Sequence, residues 1–299
     1  MLNTLIIQSL PLMPKPLVAK VAKKYIAGAS LSDAIRVSKE LEQKKAAVTI
    51  DVLGEFVESK EQAHHEYRAS MQVLDAIKEN NLKAYLSIKP TSLGLGIQYD
   101  YGYTHIRSIV AKAQELGAFV RMDMENSPYT NDTLRAYKQL REEGFSNCGI
   151  VLQAYLKRTQ NDIKELAHFK PNVRLCKGIY VESESIAFKN PDDIRKNYME
   201  CLHLLMENST KIGIATHDDF LINNAQKLIN EQKLDSQRYE FQMLLGVREY
   251  RRDEIIAQGH SMRIYVPFGE DWYGYSIRRL KENPAIARNV MKAFFSLQR

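Results

Sequence analysis

Residues 83–122 read KAYLSIKPTSLGLGIQYDYGYTHIRSIVAKAQELGAFVRM. Two short runs, Lys83–Ile88 and Phe119–Met122, are rich in Leu, Ile, Val and aromatic residues, as strands covered on both faces are. Between them, Tyr103–Leu116 spaces its apolar residues as a helix does, and Gly117 stands where a helix ends on glycine. Strand, helix and strand in this order make the βαβ unit of a parallel sheet.

The unit recurs in both directions. Strand-like runs stand at Ala46–Val52, Gly149–Leu152, Asn172–Cys176, Ile212–Ala215, Glu240–Met243 and Met262–Val266. Helical patterns cover Glu61–Asn80, Thr130–Glu143, Gln160–His168, Asp192–Met206 and Asp219–Glu231, with Asn131, Asp132 and Asp218 as N-caps and Gly144 as a terminating glycine. Eight strands in about 250 residues predict an α/β fold, a closed (β/α)8 barrel of the TIM type rather than an open sheet. The barrel is expected over 45–299, behind an N-terminal helical segment, 1–44. Residues 16–43 read as two helices. The first, PLVAKVAKKYIAG, is amphipathic and lysine-rich, which suits a lid across the barrel bottom or a contact with a membrane surface.

Of the 299 residues, 44% are apolar and 26% charged, enough for a large core and too apolar for a disordered chain. Cys148, Cys176 and Cys201 are odd in number and form no CxxC, so reduced thiols in the cytoplasm are expected. The apolar start, MLNTLIIQSLPLMPKP, lacks a basic n-region and is too short to span a bilayer. The net charge of +6 is spread without a basic run, which excludes nucleic acid as the expected partner and leaves anionic substrates, cofactors or membrane surfaces. Without HExxH or a His/Cys cluster, no metal site is expected. Gly94-Leu95-Gly96 lacks the third glycine of a dinucleotide fingerprint.

A barrel of this type carries its active site at the C-terminal strand ends. Asp51, Lys89, Asp123, Gln153, Lys177, Thr216 and His217 stand at such ends, with Arg174, Gln242 and Tyr265 inside the runs. Their convergence predicts a functional mouth. In DWYGYSIRRLKENP (271–284), Tyr275, Arg278, Arg279 and Glu282 share one helical face. Two guanidinium forks suit a small carboxylate; a solvated charged face is the other reading. Lys89, just before Pro90, is either a Schiff-base lysine of a barrel aldolase or the ion-pair partner of Asp123.

The segments SIKPTSLGL (87–95), RMDMENS (121–127), VLQAY (151–155), VRLCKGIY (173–180), IATHD (214–218), EFQMLLG (240–246) and RIYVPFGEDWYGYSIRRLKENP (263–284) resemble, in order, the bacterial proline dehydrogenase family, over residues 45–290. The resemblance implies a distorted (β/α)8 barrel with FAD over the strand ends. It implies oxidation of L-proline to Δ1-pyrroline-5-carboxylate, a hydride passing to the flavin and electrons leaving to a quinone. Lys89, Arg278 and Arg279 then match a carboxylate clamp, Asp123 a catalytic carboxylate orienting the lysine, and Arg174 the cation beside flavin N5. Met124, Gln153, Lys177, Gly178, Ile179, Thr216 and His217 match flavin contacts, joined by Gln242 and Glu282. Tyr265, Tyr275 and Leu175 match substrate-pocket walls, and Glu55 a gate partner of Arg278. The mouth is thus expected to hold three cations and one neighbouring carboxylate. A separate pyrroline-5-carboxylate dehydrogenase is expected to take the product. The rival readings are a dehydrogenase of hydroxyproline or another cyclic amine, the Lys89 aldolase, and a cofactor-free binding protein.

Overall fold

A computed structural model describes residues 24–54, 56–270, 272, 273 and 275. The elements run α1 (Leu31–Gln43), β1 (Ala46–Val52), α2 (Lys60–Glu79), β2 (Ala84–Ile88), α3 (Tyr99–Leu116), β3 (Phe119–Met122), α4 (Ser127–Glu142), β4 (Cys148–Gln153), α5 (Thr159–Leu166), β5 (Asn172–Cys176), α6 (Pro191–Asn208), β6 (Lys211–Ala215), α7 (Asp219–Glu231), β7 (Tyr239–Leu244), α8 (Glu249–Ala257) and β8 (Met262–Phe268). All eight strands pair in parallel and in sequence order. β8 returns to β1 in the register Ala46↔Met262 to Val52↔Phe268, which closes the barrel.

All eight expected strands are present, with ends shifted by two residues at most. The helices differ in instructive ways. Asp218 caps α7 by accepting the Phe220 N–H, and Gly117 ends α3 at φ 69°. Asn131 and Asp132, expected to cap α4, lie inside it. That helix starts at Ser127, three residues before the expected Thr130, because Pro128 suits a first turn and the Glu182 carboxylate accepts the Ser127 N–H. Helix α8 escaped the periodicity because Arg251 and Arg252 stand beside Ile255 on its buried side.

Each strand alternates between two environments. Ile50, Leu86, Met122, Ile150, Val173, Ile212, Phe241 and Ile264 are buried outward against the helices, each worth roughly 1.5–3 kcal/mol. The inward residues are unusually polar: Thr49, Arg121, Arg174, Glu240, Gln242 and Arg263 are all buried. Arg121 donates to the Ile150 and Asn172 carbonyls, at 3.0 and 2.7 Å, and lies over the Phe119 ring. Such an interior is stable only while its buried charges are held by hydrogen bonds.

Helix α1 packs against β1 and β8, where the helix following β8 would stand in a regular barrel. The chain enters it from the C-terminal end of the strands: the Ala27 N–H donates to Pro267 O at 2.9 Å and the Gly269 N–H to Gly28 O at 3.0 Å. Tyr25 and Ile26 pack with Leu53 and Tyr275 at the same end. This corrects the expected lid across the barrel bottom, because the described part of that stretch, residues 24–28, forms a turn and loop at the opposite end. The rest of the stretch lies outside the described residues.

Candidate active site

The C-terminal strand ends surround a cavity of about 670 Å³. It lies where inward side chains from all eight strands, or from the residue just after them, converge. Backbone turns aim these side chains. Pro90 has no N–H to continue the β2 ladder, so the chain turns after Lys89, and the buried Glu125 carboxylate clamps the turn by accepting from the Thr91 N–H at 2.8 Å. Asp123 keeps the β3 ladder through its N–H on Ile88 O, at 2.9 Å. After β5, Gly178 adopts φ 108°, and a Cβ there would run into the Tyr155 ring, so only glycine fits this turn.

Lys89 Nζ lies 2.6 Å from Asp51 Oδ1, with the two side chains 8% and 2% exposed. Burial pushes the Asp51 carboxyl up to about 6; the Lys89 charge opposes the shift and the Asp123 charge adds to it. Asp123 in turn accepts from Arg174 Nη1 at 2.7 Å and from the Tyr265 hydroxyl at 2.8 Å. The Arg174 guanidinium stands 5.2 Å from the Tyr265 ring centroid. Burial, and then the charges of Asp123 and Asp51, hold the Tyr265 phenol well above its ordinary value, so it stays a donor.

Beneath this layer, Gln242 Oε1 accepts from Arg174 Nε at 2.6 Å and Gln242 Nε2 donates to Glu240 Oε1 at 2.7 Å. At the rim, Lys177 Nζ lies 3.3 Å from Asp218, which also takes Arg195 Nε at 3.0 Å. His217 Nε2 accepts the Leu244 N–H at 3.0 Å, which in that bond places no proton on Nε2. Gln153 donates through Nε2 to Met124 O at 3.1 Å, while its Oε1 is buried with no hydrogen-bond partner among the described residues. Burial pushes the Cys176 thiol up to about 12, so it is inert as a nucleophile.

Thirteen of the expected site residues thus meet around one cavity: Lys89, Asp123, Met124, Gln153, Arg174, Lys177, Gly178, Ile179, Thr216, His217, Gln242, Tyr265 and Tyr275. Leu175 does not. It follows the inward Arg174, so strand alternation turns it outward into the core between sheet and helices. Glu55, Arg278, Arg279 and Glu282 lie outside the described residues.

Two further corrections concern charge. Lys89 pairs with Asp51, not Asp123, because Arg174 reaches Asp123 from β5. The mouth therefore holds more than the one carboxylate expected: among the described residues Lys89, Arg174 and Lys177 are matched by Asp51, Asp123 and Asp218. Asp51 and Lys89 both stood at strand ends in the sequence, but nothing there paired them. Glu240 and Arg263, deeper in the barrel, carried no signal beyond an isolated charge in an apolar run.

A family model described as proline dehydrogenase matches residues 34–292. Proline dehydrogenase 2 of Bacillus subtilis (strain 168) is 37% identical over 273 residues, covering 91% of this chain and 89% of its own. Proline dehydrogenase of Deinococcus radiodurans is 33% identical over 276 residues, covering 91% and 89%. Among solved structures, proline utilization A from Bdellovibrio bacteriovorus, inactivated by N-propargylglycine, superposes with a TM-score of 0.83 at 26% identity. The match covers 89% of this chain and 33% of that one, so the chain spans about a third of that longer protein. With the family model matched over most of its length and the relatives over nine-tenths of it, the chain belongs to the proline dehydrogenase family.

Proposed function

We propose that this protein oxidises L-proline to Δ1-pyrroline-5-carboxylate, with FAD as the hydride acceptor and a quinone as the onward acceptor. The observation that carries this reading is two buried cations, Lys89 and Arg174, directed into one cavity at the C-terminal strand ends.

The cavity suits a flavin. The orphaned Gln153 Oε1 supplies an acceptor for a ring N–H, Met124 and Ile179 supply apolar surface, and Lys177 supplies a cation at the rim. Gln153, Lys177, Gly178, Thr216, His217 and Gln242 would hold the group, with Glu282 as a further contact. When bound, FAD supplies the site that accepts hydride from the ring carbon next to nitrogen. Arg174, fixed by Asp123 and Gln242, keeps a positive charge beside the growing negative charge without reorganising, which is how a preorganised site lowers a barrier.

Lys89 binds the substrate carboxylate together with Arg278 and Arg279, and Glu55 pairs with Arg278 over the bound substrate. Because Asp51 already balances Lys89, the arginine pair supplies the excess positive charge. Fixing the carboxylate at three points orients one C–H bond and removes much of the entropic barrier. Tyr265 and Tyr275 wall the ring, and Tyr265, tied to Asp123, leaves little room for a ring hydroxyl, which favours proline over hydroxyproline.

The protein works in the cytoplasm, and a separate pyrroline-5-carboxylate dehydrogenase takes the product. No helix among the described residues is long and apolar enough to cross a membrane. Contact of the lysine-rich N-terminal stretch with the inner membrane face accords with a lipid-soluble quinone.

Purified protein is expected to be yellow, and its flavin band to bleach when L-proline is added without oxygen. A colourless protein that gains no flavin on reconstitution, or a band that proline leaves untouched, rules the reading out.

A further inference from the structure

A column of charge runs down the barrel axis beneath the cavity. Glu240 stands on β7 facing inward, two residues before Gln242. Its Oε1 accepts from Arg263 Nε at 2.6 Å and from Gln242 Nε2 at 2.7 Å, and its Oε2 lies 3.3 Å from Lys211 Nζ. Burial alone would raise this carboxyl, yet Arg263 and Lys211 hold it down at about 2, so it stays an anion.

An anionic carboxylate accepts hydrogen bonds and donates none, so the amide edge facing Glu240 is the NH2 edge. The Gln242 carbonyl is then forced upward, where it receives Arg174 Nε at 2.6 Å. The Gln242 amide reaches this place because β6 carries Gly213 beside it; a Cβ there would collide with Gln242 Nε2. With Nε held from below and Nη1 held by Asp123 at 2.7 Å, the guanidinium plane has one direction.

We propose that Glu240 is a positioning residue that, through the Gln242 amide, fixes the direction in which Arg174 presents its charge to the cavity. Glu240 lies on the barrel floor, outside the set of residues that line the upper cavity. The inference rests on the reading of Arg174 as the cation beside a flavin.

The test uses the protein with and without flavin, four single variants and one double variant. Gln242→Met keeps the side-chain length and the Glu240–Arg263 pair but breaks both amide bonds. It slows flavin reduction by proline about tenfold, the scale of one lost charge-assisted hydrogen bond. It also makes the flavin midpoint potential more negative, and leaves the KM for proline unchanged. Glu240→Gln does the same, since a neutral amide lets Gln242 turn over.

In the double variant, Glu240→Gln adds no further slowing to Gln242→Met, although it lowers the melting temperature in both backgrounds. In flavin-free protein, the Arg174 Nε proton exchanges slowly with solvent in the wild type and quickly in either single variant. If Glu240→Gln does not fold, Gly213→Ala displaces the amide with Glu240 intact and should reproduce the loss.

Wild-type reduction and potential in Gln242→Met, or equal slowing by Glu240→Gln in both backgrounds, overturn the relay. Arg174→Lys separates this from failure of the underlying reading. A wild-type rate there discards the role of Arg174 and the relay with it, whereas a slow Arg174→Lys beside a normal Gln242→Met discards the relay alone.

Discussion

Lys89 Nζ and Asp51 Oδ1 stand 2.6 Å apart, both side chains nearly inaccessible, at the ends of neighbouring strands. The lysine proposed to bind the substrate carboxylate is therefore already held by a resident anion. Replacing Lys89 with Met should weaken a small ring carboxylate such as cyclopentanecarboxylate roughly tenfold to a hundredfold, the scale of a charged hydrogen bond. Asp51→Asn, which removes the competing anion, should tighten it. Calorimetric titration measures both, and wild-type affinity in Lys89→Met ends the case for this contact.

Two buried carboxyls should give stability a two-sided dependence on pH. Glu240 is lowered from 4.5 to about 2 in the fold, so its contribution is complete above 4.5 and is lost as pH falls toward 2, roughly 3 kcal/mol in all. Asp51 is raised from 3.8 to about 6, so the folded state binds its proton more tightly, and stability falls by a similar amount as pH rises from 3.8 to 6. Urea unfolding of the flavin-free protein across this range should show both limbs. Asp51→Asn should abolish the fall between 3.8 and 6, and a persisting fall would assign it to another group.

Arg174→Ala should slow flavin reduction about a hundredfold, because a fixed donor at developing charge is worth several kcal/mol. Stopped-flow bleaching at the wild-type rate, in protein with a normal melting temperature, counts against the electrostatic role.

Tyr265→Ser opens the wall that Tyr265 forms beside Asp123. The ratio of kcat/KM for hydroxyproline over proline should rise about tenfold, as expected for relief of a small steric clash. An unchanged ratio would place the selectivity elsewhere.

Arg279→Lys should raise the KM for proline at least tenfold, since lysine has no planar fork for a carboxylate. An unchanged kcat/KM refutes the arginine clamp.

The eight strands were legible because their outward residues are buried under the helices, which leaves each run short and mostly apolar. The mouth residues were legible because a chain leaving a barrel strand meets solvent, and polar side chains collect there. Leu175 was misplaced because a resemblance carries positions but not the side of the strand; the inward Arg174 next to it turns Leu175 outward. Helix α8 was missed because paired arginines bury as well as leucines do, while a hydropathy pattern counts them as exposed.

By itself the sequence determined the strand–helix alternation, the closed barrel and the end at which the polar residues gather. These depend on neighbours along the chain and on the fixed hand of βαβ connections. Only the tertiary structure decided that Lys89 belongs to Asp51, that Arg174 bridges Asp123 and Gln242, that Glu240 underlies them, and that the N-terminal helix occupies the place next to β8. The side-chain pairings join residues as many as 68 positions apart, and strand tilt and side-chain length choose among several partners of suitable charge.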